Sequence, residues 1–136
     1  MLVYIKDYQD PKARLKGSRV LIVEDDSDYA EWIELALLGL GVSHIAKASD
    51  GETALRLTES DPEFDLIICD WVMPNMDGLD LLKRYREKVS CSMFLVLTAK
   101  SGLEDAFEIT RDGAASFLVK PLSVDQLQSE FTSMLH

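Results

Sequence analysis

Residues 19–29 read Arg19-Val-Leu-Ile-Val-Glu24-Asp25-Asp26-Ser-Asp-Tyr29. A run rich in β-branched residues stops abruptly at three acids, and Asp26, Ser27 and Asp28 are the residue types that cap a helix. Apolar positions return at Tyr29, Ile33, Leu37 and Leu40, close to the spacing of one helix face, and Gly39 and Gly41 end it. One strand feeding one helix is therefore legible between residues 19 and 41.

The unit recurs along the chain. Further strand-like runs lie at Val42–Ala48, Leu66–Cys69, Met93–Leu97 and Ser116–Val119, with Val20–Val23 as the first. Between and after them come stretches of helical period. Asp50–Ser60 carries Ala54, Leu55 and Leu57 and is stopped at Asp61-Pro62; Gly78–Lys88 carries Leu79, Leu82 and Tyr85. Ser101–Arg111 carries Leu103, Phe107 and Ile109 and closes at Gly113, while Ser123-Val-Asp-Gln126 is a capping-box pattern ahead of Leu127, Phe131 and Leu135. Strands alternating with helices require right-handed crossovers, and near-continuous apolar strands belong to a sheet covered on both faces. The expected fold class is α/β: five βα units doubly wound about a five-stranded parallel sheet.

The 136 residues suffice for one domain, and 47% hydrophobic residues supply its core. Residues 1–18 mix Tyr, Lys, Asp, Pro and Gly without period and read as an N-terminal tail, leaving 19–136 as the domain. A net charge of −10 has the wrong sign for gripping nucleic acid through phosphates. No apolar run approaches the ~20 residues that span a bilayer, and residues 1–5 are too short for a signal peptide, so a cytoplasmic protein without membrane contact is expected. Cys69 and Cys91 lack zinc or redox spacing and are expected as reduced thiols, with Cys69 packed in the interior; His44 and His136 have no partner pattern.

In open α/β sheets, ligands bind beyond the carboxyl ends of the strands. The first strand runs into Glu24, Asp25 and Asp26, the third into Asp70, the fourth into Thr98 and the fifth into Lys120-Pro121. Converging carboxylates repel one another and stay ionised near neutrality only beside a cation; oxygen ligands of this kind suit Mg²⁺. Asp26 is the exception, a helix cap before it is a ligand. A lysine and a hydroxyl add donors for a tetrahedral anion, so the set describes phosphoryl transfer with a carboxylate nucleophile, for which Asp70 is the best placed. A phosphatase with an aspartate nucleophile is a competing reading, but such enzymes use a second acid two residues on, where Val72 stands. A flavodoxin-like cofactor binder fits the sheet, yet Glu24-Asp25-Asp26 would repel a flavin phosphate.

The segment Asp70-Trp-Val-Met-Pro-Asn-Met-Asp-Gly-Leu-Asp-Leu-Leu-Lys83 closely resembles the phosphorylation segment of CheY-like response-regulator receiver domains. Val-Leu-Ile-Val-Glu24-Asp25-Asp26, Leu-Thr98-Ala99-Lys100 and Phe117-Leu-Val-Lys120-Pro121 complete the family's motifs, in order, from Arg19 onward. The resemblance implies the flavodoxin-like strand order 2-1-3-4-5 and a role in two-component signalling. Asp70 would take a phosphoryl group from a sensor histidine kinase or histidine phosphotransfer protein. Asp25 would bind Mg²⁺ directly, Glu24 through water, and the Val72 carbonyl would complete the protein's share, with Asp70. Lys120 would pair with Asp70 and then with the phosphoryl group, Thr98 would bond a phosphoryl oxygen, and Phe117 would turn inward as the switch residue. The Lys120-Pro121 bond would be cis.

Such a domain is not an ordinary enzyme; it catalyses only its own phosphorylation and dephosphorylation. Its output face would be the helix at Ser101–Arg111, the strand at Ser116–Val119 and the last helix, meeting a downstream effector protein or output domain, or a second copy as a homodimer. Phe117 lacks the hydroxyl of the tyrosine common at that position. Val72 and Lys100 occupy the two positions that tune dephosphorylation in the family, and the apolar Val72 implies a long-lived phosphoform. A degenerate receiver used only for protein contact is the alternative, disfavoured by the intact Asp70, Thr98 and Lys120. Trp71, next to Asp70, is expected to rim the metal site, and Trp32 to lie on the outer side of the first helix or against the tail.

Overall fold

The apolar runs pair as one parallel sheet in the order β2-β1-β3-β4-β5, with β1 at Arg19–Val23, β2 at His44–Ala48, β3 at Leu66–Asp70, β4 at Met93–Thr98 and β5 at Ser116–Val119. The computed structural model describes residues 17–60, 64–73, 75–88, 93–99 and 116–134. The expected helix at Ser101–Arg111, most of the tail, and Cys91, Lys100, Leu135 and His136 lie outside these residues. Four described helices accompany the strands: α1 (Ser27–Gly39), α2 (Gly51–Ser60), α3 (Gly78–Lys88) and α4 (Val124–Met134).

Alternate residues of each strand feed opposite faces of the sheet. Leu21, Val23, Ile67, Cys69, Phe94 and Val96 pack with Ala54 of α2 and Leu79, Leu82 and Tyr85 of α3. Val20, Ile22, Ile68, Leu95 and Leu97 pack with Ile33 and Leu37 of α1 and Leu127 and Phe131 of α4. The central strands are buried on both faces, which is why they read as apolar runs; β2 and β5, at the edges, stay partly exposed.

Each described helix opens on a side-chain cap that satisfies its first free N–H groups. Asp26 accepts from Asp28 N–H and Tyr29 N–H at 3.0 and 3.2 Å, so it is the cap the sequence suggested. Asp50 accepts from Thr53 N–H at 2.7 Å, and Asp77, which the sequence reading passed over, accepts from Asp80 N–H at 2.9 Å. Ser123 and Gln126 exchange the two bonds of a capping box, at 3.1 and 2.8 Å.

The first, third and fourth strands each run one residue longer than their apolar runs, and two further boundaries differ for a visible reason. The second strand begins at His44 rather than Val42, because Val42 N–H donates to Leu37 O at 3.0 Å and closes the end of α1. Gly39 remains helical; the left-handed residue that turns the chain is Gly41, at φ 101°. In α2, Leu55 and Leu57 are only half-buried, and Ala54 and Thr58 take the inner positions.

Candidate metal centre

At the carboxyl ends of β1, β3 and β5 the main chain stays tied to the sheet. Glu24 N–H donates to Ala48 O at 3.0 Å, Trp71 N–H to Leu97 O at 2.8 Å, and Lys120 N–H to Thr98 O at 2.8 Å. Side chains leaving these positions are therefore fixed at their roots. Glu24, Asp25 and Asp70 bring one carboxylate oxygen each within 4.8 Å of one another. The Lys120 ammonium reaches over from β5 to Glu24 Oε1 at 3.2 Å, Glu24 Oε2 at 3.3 Å and Asp70 Oδ2 at 3.4 Å.

Charge does not balance in this cluster. Burial pushes the Glu24 carboxyl up to about 7, Asp70 pushes the same way, and Lys120 only partly offsets both. Burial also raises Asp70, opposed by Lys120 and by a hydrogen bond from the Val72 backbone. Burial works against the Lys120 charge, but Glu24 and Asp70 outweigh it and raise its value. Glu24 is 3% exposed, so water does little to screen it. Among the described residues, three converging acids face one ammonium, which leaves them short of positive charge, and the all-oxygen donor set is the kind a hard divalent cation takes. The residues present fit Mg²⁺.

Thr98 ends β4 almost wholly buried, one residue beyond Leu97, the Cα partner of Asp70. Phe117 is half-buried on β5, paired with Val96 and packed against the α2–α3 face. Val72 is 64% exposed beside Asp70. The Lys120-Pro121 bond is cis. Cys69 is fully buried in the α2–α3 cluster, and burial, with the charges of Asp70, Glu24 and Asp77 adding to it, raises its thiol well above the ordinary range.

Two tryptophan expectations are refined. Trp71 does not form an open rim: it is 6% exposed and belongs to the α2–α3 cluster, since it alternates away from Asp70 as Cys69 does. Trp32 is half-buried, 5.8 Å from the Tyr29 ring and packed with the α1–α4 face.

The end of β3 is held by a close approach. Gly78 N–H donates to Trp71 O at 2.7 Å, and a Cβ at Gly78 would stand 2.6 Å from Asp70 O. Only glycine fits there. Asn75, just before, takes φ 71°, which its short polar side chain tolerates.

Sequence reasoning missed Tyr29 as part of this region, assigning it to the apolar stripe of α1. Its ring lies under the Lys120 ammonium, 4.3 Å from Nζ to centroid, and its hydroxyl accepts from Leu122 N–H at 3.3 Å. No local pattern announces a contact made across more than ninety residues of chain.

A three-layer fold with acids at the carboxyl ends of β1 and β3 and a lysine from β5 defines a class of signalling domain. The chain belongs to the response regulator receiver domain family, whose sequence profile matches residues 20–132. Chemotaxis protein CheY-3 of Vibrio cholerae serotype O1 is 33% identical over 117 residues, 85% of this chain and 89% of that one. The transcriptional regulatory protein ZraR of Escherichia coli K12 is 34% identical over 116 residues, 85% of this chain but 26% of its own length. Among solved structures, the CheX-CheY-BeF3-Mg²⁺ complex from Borrelia burgdorferi superposes with a TM-score of 0.83 at 26% identity, covering 88% of this chain and 90% of that one. Receiver domains serve two-component signalling rather than general enzymology. Among the described residues, no helix is long and apolar enough to cross a membrane.

Proposed function

We propose that residues 19–136 form a receiver that accepts a phosphoryl group on Asp70 from a phosphohistidine and, once phosphorylated, alters its contacts with a partner. The observation that carries this reading is Lys120 bridging Glu24 and Asp70, with Asp25 beside them. A carboxylate nucleophile needs no general base. An Asp70 oxygen attacks phosphorus in line, the phosphorus–nitrogen bond breaks, and its electron pair returns to the donor imidazole.

Lys120 moves its charge from the carboxylates to the incoming phosphoryl oxygens, and the Thr98 hydroxyl donates to one of them. Asp25, Asp70 and the Val72 carbonyl, with Glu24 through water, would hold Mg²⁺, which when bound neutralises charge developing on the phosphoryl oxygens. The similar structure solved with BeF3 and Mg²⁺ supports Mg²⁺ as the cation.

The phosphoryl group favours one of two arrangements of the loops after β4 and β5, with Phe117 packing further inward. The output face that the resemblance implies, which among the described residues includes β5 and α4, then meets an effector, an output domain or a second copy. The kinase or phosphotransfer donor and this exchange belong to the cytoplasm.

Intact mass after incubation with acetyl phosphate, with and without Mg²⁺ and alongside Asp70→Ala, tests the reading. A gain of one phosphoryl mass that needs both Mg²⁺ and Asp70 is expected. A gain retained in Asp70→Ala overturns the acceptor assignment, and no gain with no metal response favours a receiver used only for protein contact.

A further inference from the structure

Lys120 sits on a four-carbon stem with many rotamers, yet its ammonium must meet Glu24, Asp70 and then a phosphoryl group. Two of its partners are the carboxylates just described; the third is an aromatic face. Tyr29 leaves the first turn of α1 and places its ring 4.3 Å from Nζ. Its hydroxyl accepts from Leu122 N–H at 3.3 Å, on the other side of Pro121. One side chain thus grips the β5–α4 connection at two points flanking the cis peptide.

We infer that Tyr29 is a positioning residue for Lys120, its ring holding the ammonium over the acidic cluster and its hydroxyl holding the chain that follows. This rests on the proposed role of Lys120 in phosphoryl transfer. Packing alone does not account for a tyrosine here. The position is half-buried beside Trp32 and Leu122, and a leucine would fill the apolar stripe of α1 as well. A leucine has no negative ring face to attract a cation and no oxygen to accept from Leu122. The arrangement also joins α1 to the end of β5, so displacement of Lys120 toward a phosphoryl group is felt by the first helix.

The test compares Tyr29→Leu, Tyr29→Phe and a series of increasingly fluorinated phenylalanines at position 29 in the 136-residue chain. The readout is the rate of Asp70 phosphorylation by acetyl phosphate with saturating Mg²⁺. Tyr29→Leu is expected to slow it about two- to thirtyfold, the range of a partly desolvated cation–ring contact. Tyr29→Phe recovers most of that loss, and the rate falls stepwise as fluorine drains the ring face. A merely structural side chain would not follow the ring's charge distribution, so a flat fluorinated series, or Tyr29→Leu at the unmodified rate, overturns the inference.

A second readout separates this from failure of the receiver reading. If the unmodified chain takes up no phosphoryl group and shows no response to Mg²⁺, that reading fails, while the ring contact is still reported by proton resonances of the Lys120 ε-methylene. An upfield ring-current shift present in the unmodified chain and Tyr29→Phe but absent in Tyr29→Leu supports the inference. The same shift in all three overturns it.

Discussion

Glu24 carries the largest cost of bringing these acids together. Its ordinary value is 4.5 and burial holds it near 7, so the folded chain binds this proton more tightly than the unfolded chain does. For an acid raised on folding, stability is full below about pH 4.5 and falls as pH rises toward 7. Without metal, the unfolding free energy is expected to fall by roughly 1–3 kcal/mol across that window. Urea midpoints measured in chelator at half-unit pH steps check this; an equally steep fall in Glu24→Gln would refute the assignment. Added Mg²⁺, which needs the ionised acids, should stabilise most above pH 7. Val72 stands exposed beside Asp70 with no polar group to orient an attacking water. Val72→Asn supplies one, and the phosphoform is expected to shorten its life on the order of tenfold, about one hydrogen bond's worth. Decay of the phosphorylated mass after donor removal reads this directly. An unmodified lifetime no longer than that of the variant would contradict the long-lived form that Val72 implies.

Elements fail or hold at their ends. A Cβ at Gly78 would collide with Asp70 O, so Gly78→Ala must push α3 away from the end of β3. Overpacking of this kind costs about 1–3 kcal/mol, and because the colliding atom belongs to Asp70, the phosphorylation rate should fall with the denaturation midpoint. Ser123→Ala removes half of the capping box of α4 and is expected to cost about 1 kcal/mol, lowering the midpoint while leaving Asp70 chemistry near normal. The contrast between these variants distinguishes a strand end tied to the site from a helix end that is not.

Much at this scale was legible beforehand. The Ser123-Val-Asp-Gln126 box and the Asp26 cap were read from spacing because caps are local chemistry. The start of β2 was not, since whether Val42 joins a strand or closes α1 depends on which carbonyl it meets, and that is Leu37 O.

At the scale of the whole molecule, the alternation of apolar runs with helical stretches determined an α/β sheet, because strands buried on both faces must be apolar throughout. The acids at the ends of the first and third runs, Thr98 and Lys120 were likewise readable, since the carboxyl ends of a parallel sheet gather on one side. Resemblance to receiver domains, rather than spacing, supplied the order 2-1-3-4-5 that the sheet adopts. Only the tertiary structure decided how charge is shared among these groups. The rise of Glu24 comes from its burial and from Asp70, residues far apart in the chain and close in space. It alone placed Tyr29 beneath Lys120 and turned Trp71 inward, because a side chain's neighbours across a sheet follow from packing, on which local pattern is silent.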